Sequence, residues 1–444
     1  MSEYIDTFTV LITVLLVLNC VKINALDTRS IYYLIFVFLY VCPIMLDVFY
    51  KKPDYSSSIK NYGFDISSTD ETTRIFYDLL LIYSQLIYLR FTKGNITTRN
   101  LICNTNEDEI IRSNIKQEEI IKIISFFFAL LPAILTILFQ FNILIIFTPL
   151  WRERITLDLN NYSILDKLSY VGVLSSILLY FLTDNNRNFG LQRIFALIFL
   201  YINMCIEGKR SIIFFIMITF IISLILKGNK KETTKKISYF KTLMLIGTII
   251  LMLYFVVWFS VFVKTTSRGY DVDNYEKMYT AIRIDIFREN RIMMELFSLN
   301  NPKIMSIVDA FGITLIQVPL FFFPIDIFRS YFFHYSPITY TAYISAALID
   351  NPFPSTVDAF MTPCIWGEII SNFNWLGVIF SPFFFVIFSR ITEKLKYPYN
   401  FILIVCFIAI NMYSLAYMSY LLEFAIIIFL VKETQKHPEH IKRH

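Results

Sequence analysis

Six titratable side chains sit where apolar runs of the sequence break: Arg154, Arg210, Arg268, Arg329, His334 and Glu368. Arginine's planar fork of donors suits bidentate binding of phosphate. Arginines just outside apolar runs would therefore suit a diphosphate or other anionic head group at a membrane surface. Arg210 and Arg268 lead, because few acids stand near them in the chain, and Arg154 and Arg329 follow. By contrast Arg283, Arg288 and Arg291 alternate with Asp285, Glu289 and Glu295 at i, i+3 and i+4 spacing. Intrahelical ion pairing explains that stretch as well as ligand binding does. Glu368 follows Pro363 and Gly367 at the head of an apolar run. A carboxyl at a membrane boundary is costly unless it is paired or functional, and Glu368 is the leading general base. A helix N-terminus, whose dipole favours an acid, is the plainer account. His334 is the reserve base, although a lone histidine in a Tyr/Phe-rich stretch also reads as a packed one.

Other chemistries lack their residues. There is no phosphate-binding glycine loop, no dinucleotide fingerprint, no nucleophile elbow and no HExxH pair. Three of the four histidines (His437, His440 and His444) lie in a basic C-terminal stretch. The six cysteines form no CxxC pair, which argues against a disulfide framework or a zinc site. No metal and no cofactor is expected. The net charge of +5 is modest and concentrates in short loops, a topology signal rather than a nucleic-acid one.

The elements that must carry these residues are membrane spans. Hydrophobic residues make up 56% of the 444 and charged ones 17%, against about a quarter charged in soluble domains. Apolar runs long enough to cross a bilayer fall near 5–23, 30–50, 73–91, 123–147, 165–183, 191–207, 211–227, 242–263, 369–389, 399–416 and 418–431. The predicted fold is all-α and polytopic, with about eleven spans (10–12). The run 5–23 lacks a cleavage signature and reads as a retained span. The run 73–91 is the weakest, because Arg74, Asp78, Gln85 and Arg90 interrupt or flank it. Lys230, Lys231, Lys235, Lys236 and Lys241, then Arg390, Lys394 and Lys396, mark two loops as cytoplasmic. Alternation then makes 265–367 a large outer loop between the eighth and ninth spans, and puts the N-terminus and Lys51–Lys52 outside as well. The chain divides into an N-terminal bundle (1–264), the loop (265–367), and C-terminal spans with a basic tail (368–444). Inside the loop the apolar stretch 307–328 is broken by Gly312, Pro319 and Pro324. It either crosses or lies in the interface, and the interfacial reading keeps 390–398 on its basic side.

The pattern Thr362, Pro363, Gly367, Glu368, Asn372, Phe373, Leu376 and Gly377 resembles the end of the outer loop in bacterial O-antigen polymerases of the Wzy type, or oligosaccharide repeat-unit polymerases. The turn Glu207-Gly208-Lys209-Arg210-Ser211 resembles that family's Gly-x-Arg turn, and Arg268-Gly269-Tyr270 its basic loop entry. The sequence departs from the family at 323–329, where relatives often carry a Pro-Arg…Trp-Pro-x-Lys-Pro segment and this chain has only Arg329 as its base. The resemblance implies an inner-membrane glycosyltransferase that joins undecaprenyl-pyrophosphate-linked repeats on the periplasmic face. It implies no nucleotide and no metal, membrane lipid as surroundings, and a flippase and a chain-length regulator as partners. In that scheme Arg210 and Arg268 would bind the departing diphosphate, and Glu368 would take the acceptor hydroxyl's proton. Two other readings stay open: an O-antigen ligase, and a flippase or transporter of lipid-linked oligosaccharide.

Overall fold

The computed structural model describes residues 2–20, 28–49, 71–92, 111–140, 159–183, 190–207, 287, 289–300, 364–395 and 399–413. Every element among them is helical. They are α1 (Ser2–Cys20), α2 (Thr28–Phe49), α3 (Glu71–Phe91), α4 (Ile111–Gln140), α5 (Leu159–Leu182), α6 (Gly190–Glu207), α7 (Glu289–Asn300), α8 (Ile365–Lys394) and α9 (Tyr399–Tyr413). Among the described residues three stretches are long and apolar enough to cross a membrane: Thr28–Phe49, Glu119–Leu138 and Phe373–Lys394. The predicted runs 211–227, 242–263 and 418–431, and the stretch 307–328, lie outside the described residues.

One group of helices is α1, α2, α3, α8 and α9. On α1 the buried positions are Asp6, Thr9, Val10 and Thr13, while Tyr4, Phe8, Leu11, Leu15 and Leu18 are exposed. Polar residues turn inward and apolar ones outward. That arrangement suits a helix whose outer solvent is lipid and whose inner neighbours offer hydrogen bonds. α3 does the same. Arg74, Tyr77, Asp78, Leu81, Ser84, Gln85 and Tyr88 form one buried stripe at 3.6-residue spacing, and Leu79 and Leu86 face out. Of the residues that weakened the run 73–91 as a span, Arg74, Asp78 and Gln85 are thus on the helix's inner face, and Arg90 is exposed at its end.

Hydrogen bonds between distant residues tie this group. Tyr32 pairs with Thr392 at 2.6 Å, the Tyr33 hydroxyl donates to Gln85 at 2.7 Å, and the Tyr40 hydroxyl donates to Asn411 at 2.7 Å. Gln85 in turn donates to Thr13. α2 widens in the middle: the Cys42 N–H donates to the Val37 carbonyl, five residues back, and Pro43 follows with no N–H to give. Phe36 and Tyr40 beside this wide turn receive Trp366 and Phe385, with ring centroids 4.6–6.0 Å apart.

The other group is α4, α5 and α6. Asn203 of α6 donates to the Ala129 carbonyl of α4 at 2.8 Å and approaches the Ser176 hydroxyl of α5 at 3.4 Å. Gly172 lies against that asparagine, and a Cβ there would fall within 2.7 Å of its amide nitrogen. A small residue lets the helices close around one interhelical hydrogen bond. Phe181 of α5 meets Phe401 of α9 at 5.1 Å and links the two groups.

The ends of the first group differ in charge. Arg29, Arg90, Arg390 and Lys394 gather where α2 begins and α3 and α8 finish; Arg29 donates to the Leu89 carbonyl and Arg390 to that of Phe91. The opposite end, where α1 and α3 begin and α2 finishes, holds Asp6, Asp47 and Asp78.

Candidate functional site

The acidic end is organised by one arginine. Arg74 is buried, and its Nε donates to both carboxylate oxygens of Asp6 at 2.9 Å. Its Nη2 reaches Asp6 at 2.6 Å and Asp47 at 3.2 Å. Asp78, one turn along α3, is also buried and faces Asp6, Arg74 and Glu289. Glu289 opens α7, so a helix from the predicted outer loop ends against the same arginine. Two acids, Asp6 and Asp47, bind the guanidinium directly, and Asp78 and Glu289 lie within electrostatic range, one acid from each of four helices. A buried charge is tolerable only with such partners, so the cluster works as a knot that fixes the helix ends. Among the described residues no group of three or more His, Cys, Asp or Glu side chains is arranged to hold a metal ion.

Beside the knot, α8 folds back on itself. Asn374 has φ 54° and ψ −135°, and it is the one non-glycine residue with positive φ among the described residues. The Trp366 indole N–H donates to the Ser381 hydroxyl, and the Trp366 ring lies 5.9 Å from that of Phe385. In a straight helix positions 366 and 381 would be about 22 Å apart. The stretch 365–373 therefore runs antiparallel to 375–394, joined by a turn at Asn374. Its N-terminal residues Cys364, Ile365 and Trp366 are buried, Trp366 against Phe36 and Tyr40 of α2, and the Gly367 N–H donates to the Cys364 sulfur at 3.3 Å.

Local chemistry accounts for the fold-back. An Asn tolerates positive φ better than most residues with a Cβ. Gly377 sits where a Cβ would meet the Ile369 carbonyl and fall 2.7 Å from the Ile370 Cα, so the two arms touch through bare backbone. Pro382 has no N–H for the Val378 carbonyl, and the Ser381 hydroxyl donates to that oxygen at 3.3 Å while accepting from Trp366.

Of the residues singled out in the sequence, Glu368 is on this returning arm, two positions after Trp366. Arg154, Arg210, Arg268, Arg329 and His334 lie outside the described residues. The span expected at 369–389 is interrupted at Asn374, where the chain reverses, and the stretch Phe373–Lys394 is long and apolar enough to cross a membrane. Glu368 thus belongs to a separate short helix that precedes the span. The sequence reading also missed Asp6, Asp47, Asp78 and Arg74 as a group. The 74/78/85 spacing on one helical face was the available signal.

The knot and the returning arm are neighbours. α7 packs against both α3 and α8, Phe76 meets Trp375 at 5.9 Å, and Tyr77 lies within electrostatic range of both Glu289 and Cys364. Compared with models of protein families, with characterised proteins and with solved structures, the chain matches none.

Proposed function

We propose that this chain is a membrane glycosyltransferase that polymerises lipid-pyrophosphate-linked oligosaccharide repeats on the outer face of a bacterial inner membrane. The observation that carries the reading is the segment 362–377, whose residues resemble the polymerase pattern and whose residues 365–373 form an arm folded back on the helix that follows. A short helix returning into a bundle brings polar residues to a water-accessible membrane edge, where lipid diphosphates lie. The charge difference between the two ends supports the sidedness. Arg29, Arg90, Arg390 and Lys394 suit the cytoplasmic face, so α7 and Glu368 fall on the outer side.

In this reading Arg210 and Arg268 hold the diphosphate as the glycosidic bond to it breaks. Arg154 and Arg329 add positive charge, and Glu368 removes the proton from the acceptor hydroxyl as its oxygen bonds to the anomeric carbon. Fixed donors at the departing diphosphate contribute about 3–4 kcal/mol each when well aimed. The lipid diphosphate is already a good leaving group, so the protein's part is placement and charge stabilisation.

Deleting the gene and separating the cell's surface glycans by size tests this. Collapse of a long-chain ladder to core plus one repeat is the expected result, and Arg210→Ala and Arg268→Ala should reproduce it at unchanged protein level. Loss of every capped species would favour a ligase, and repeats trapped on the cytoplasmic side would favour a flippase.

A further inference from the structure

The returning arm 365–373 is held by three features that an unbroken helix would not need. Asn374 adopts a backbone conformation that L side chains rarely take. Gly377 is pressed against the backbone of Ile369 and Ile370. Trp366 is fully buried with its one N–H satisfied by Ser381. In lipid a continuous helix satisfies all its own backbone groups, so a break there must be fixed by side chains. The Ser381 hydroxyl is committed on both sides, as donor to Val378 and acceptor from Trp366. It couples the Val378 carbonyl, which Pro382 leaves without a helical N–H, to the far end of the arm. Phe36, Tyr40 and Phe385 close around the indole and leave its ring little freedom.

We infer that Trp366, Gly377 and Ser381 are positioning residues for the acid carried between them: they set the place of the backbone at Glu368 by clamping the returning arm at both of its ends. Trp366 with Ser381 fixes the buried end, and Gly377 with the Asn374 turn fixes the other. Glu368 lies on the seven residues between, 367–373, and the two clamps oppose a shift of its backbone along the bundle. This rests on the reading of Glu368 as the general base, and it explains why that base sits on an inward-folded arm. A shift of about 1 Å in a reacting group can lower a rate on the order of 100-fold.

The test is polymer formation by native membranes supplied with their own lipid-linked repeats, measured per unit of the protein and alongside its melting temperature in detergent. Ser381→Ala leaves the indole N–H buried with no acceptor. Trp366→Phe removes the donor but keeps a ring. Each should slow polymer formation by about 10-fold or more while the protein still melts cooperatively. Gly377→Ala should do at least as much, and where it fails to fold the other two variants decide. The discriminating arm repeats Ser381→Ala in a Glu368→Gln background, where it should cause no further loss, since there is no longer a base to place. If Ser381→Ala and Trp366→Phe run at the parent rate while Glu368→Gln falls to a small residual rate, the positioning role is wrong and the base assignment stands. The positioning role is equally wrong if Ser381→Ala lowers the residual rate of Glu368→Gln by its full factor, because its effect is then general. If Glu368→Gln itself is fully active, the base assignment and the positioning role fall together.

Discussion

At the scale of single residues, Arg74 is the clearest case of a side chain whose partners decide its meaning. Its Nε and Nη2 are taken by Asp6 and Asp47, so replacing it with Met would leave those carboxylates buried against no cation. Loss of one partner from a buried ion pair costs about 3–5 kcal/mol, and unfolding in detergent should show a destabilisation of that order. Adding Asp6→Leu to Arg74→Met should recover part of it; a double variant weaker than the single would refute the knot. Asn374 supplies a second case. A non-glycine residue in so sparse a backbone region stores about 1–3 kcal/mol. Asn374→Gly should therefore hold or raise the melting temperature and Asn374→Val should lower it clearly. Equal melting for both would mean the turn is not strained. Neither residue's role could be read from the sequence. Arg74 meets acids 68 and 27 positions away, and no local spacing encodes such a meeting. Asn374 falls on an unspecified position of the 362–377 pattern, although Gly367, Asn372, Asn374 and Gly377 crowd small and polar types into a stretch where a spanning helix needs neither.

At the scale of elements, the helices were legible wherever an apolar run coincided with helical length. The expected runs 30–50, 165–183 and 191–207 appear as Thr28–Phe49, Leu159–Leu182 and Gly190–Glu207, within a turn or two. What the sequence hid was direction. Ile365–Phe373 and the stretch after Asn374 share one apolar run, but the run folds into two antiparallel arms. Hydropathy records how much of a segment dislikes water and says nothing of where it reverses. The grip between α4, α5 and α6 belongs to this scale too. Asn203 is their shared polar contact and Gly172 makes room for it. Asn203→Leu should cost about 0.6–1.7 kcal/mol, the range for interhelical hydrogen bonds in lipid. Gly172→Leu should cost more, because it pushes the helices apart as well. A melting series of the two variants checks the order, and a larger loss from Asn203→Leu would reverse the account.

At the scale of the whole molecule, sidedness makes a prediction that needs no activity. The Arg390 end should be cytoplasmic and the Asp6 end exocytoplasmic. Alkaline phosphatase, active only outside, should work when fused after residue 300 and fail when fused after residue 395, and an N-terminal epitope should be reached from outside in intact cells. Fusions active at both points would mean that the bundle is inverted or the span count has changed parity. The ties between Tyr32 and Thr392 and between Tyr40 and Asn411 also set a timetable for synthesis. Their partners lie 360 and 371 residues apart, and a ribosome adds about 5–20 residues per second. For roughly 20–70 s the second helix therefore waits in the bilayer with hydroxyls meant for helices not yet made. Nascent chains cut short before Thr392 would carry those tyrosines unsatisfied, a mark by which membrane proteases could tell an unfinished copy from a finished one.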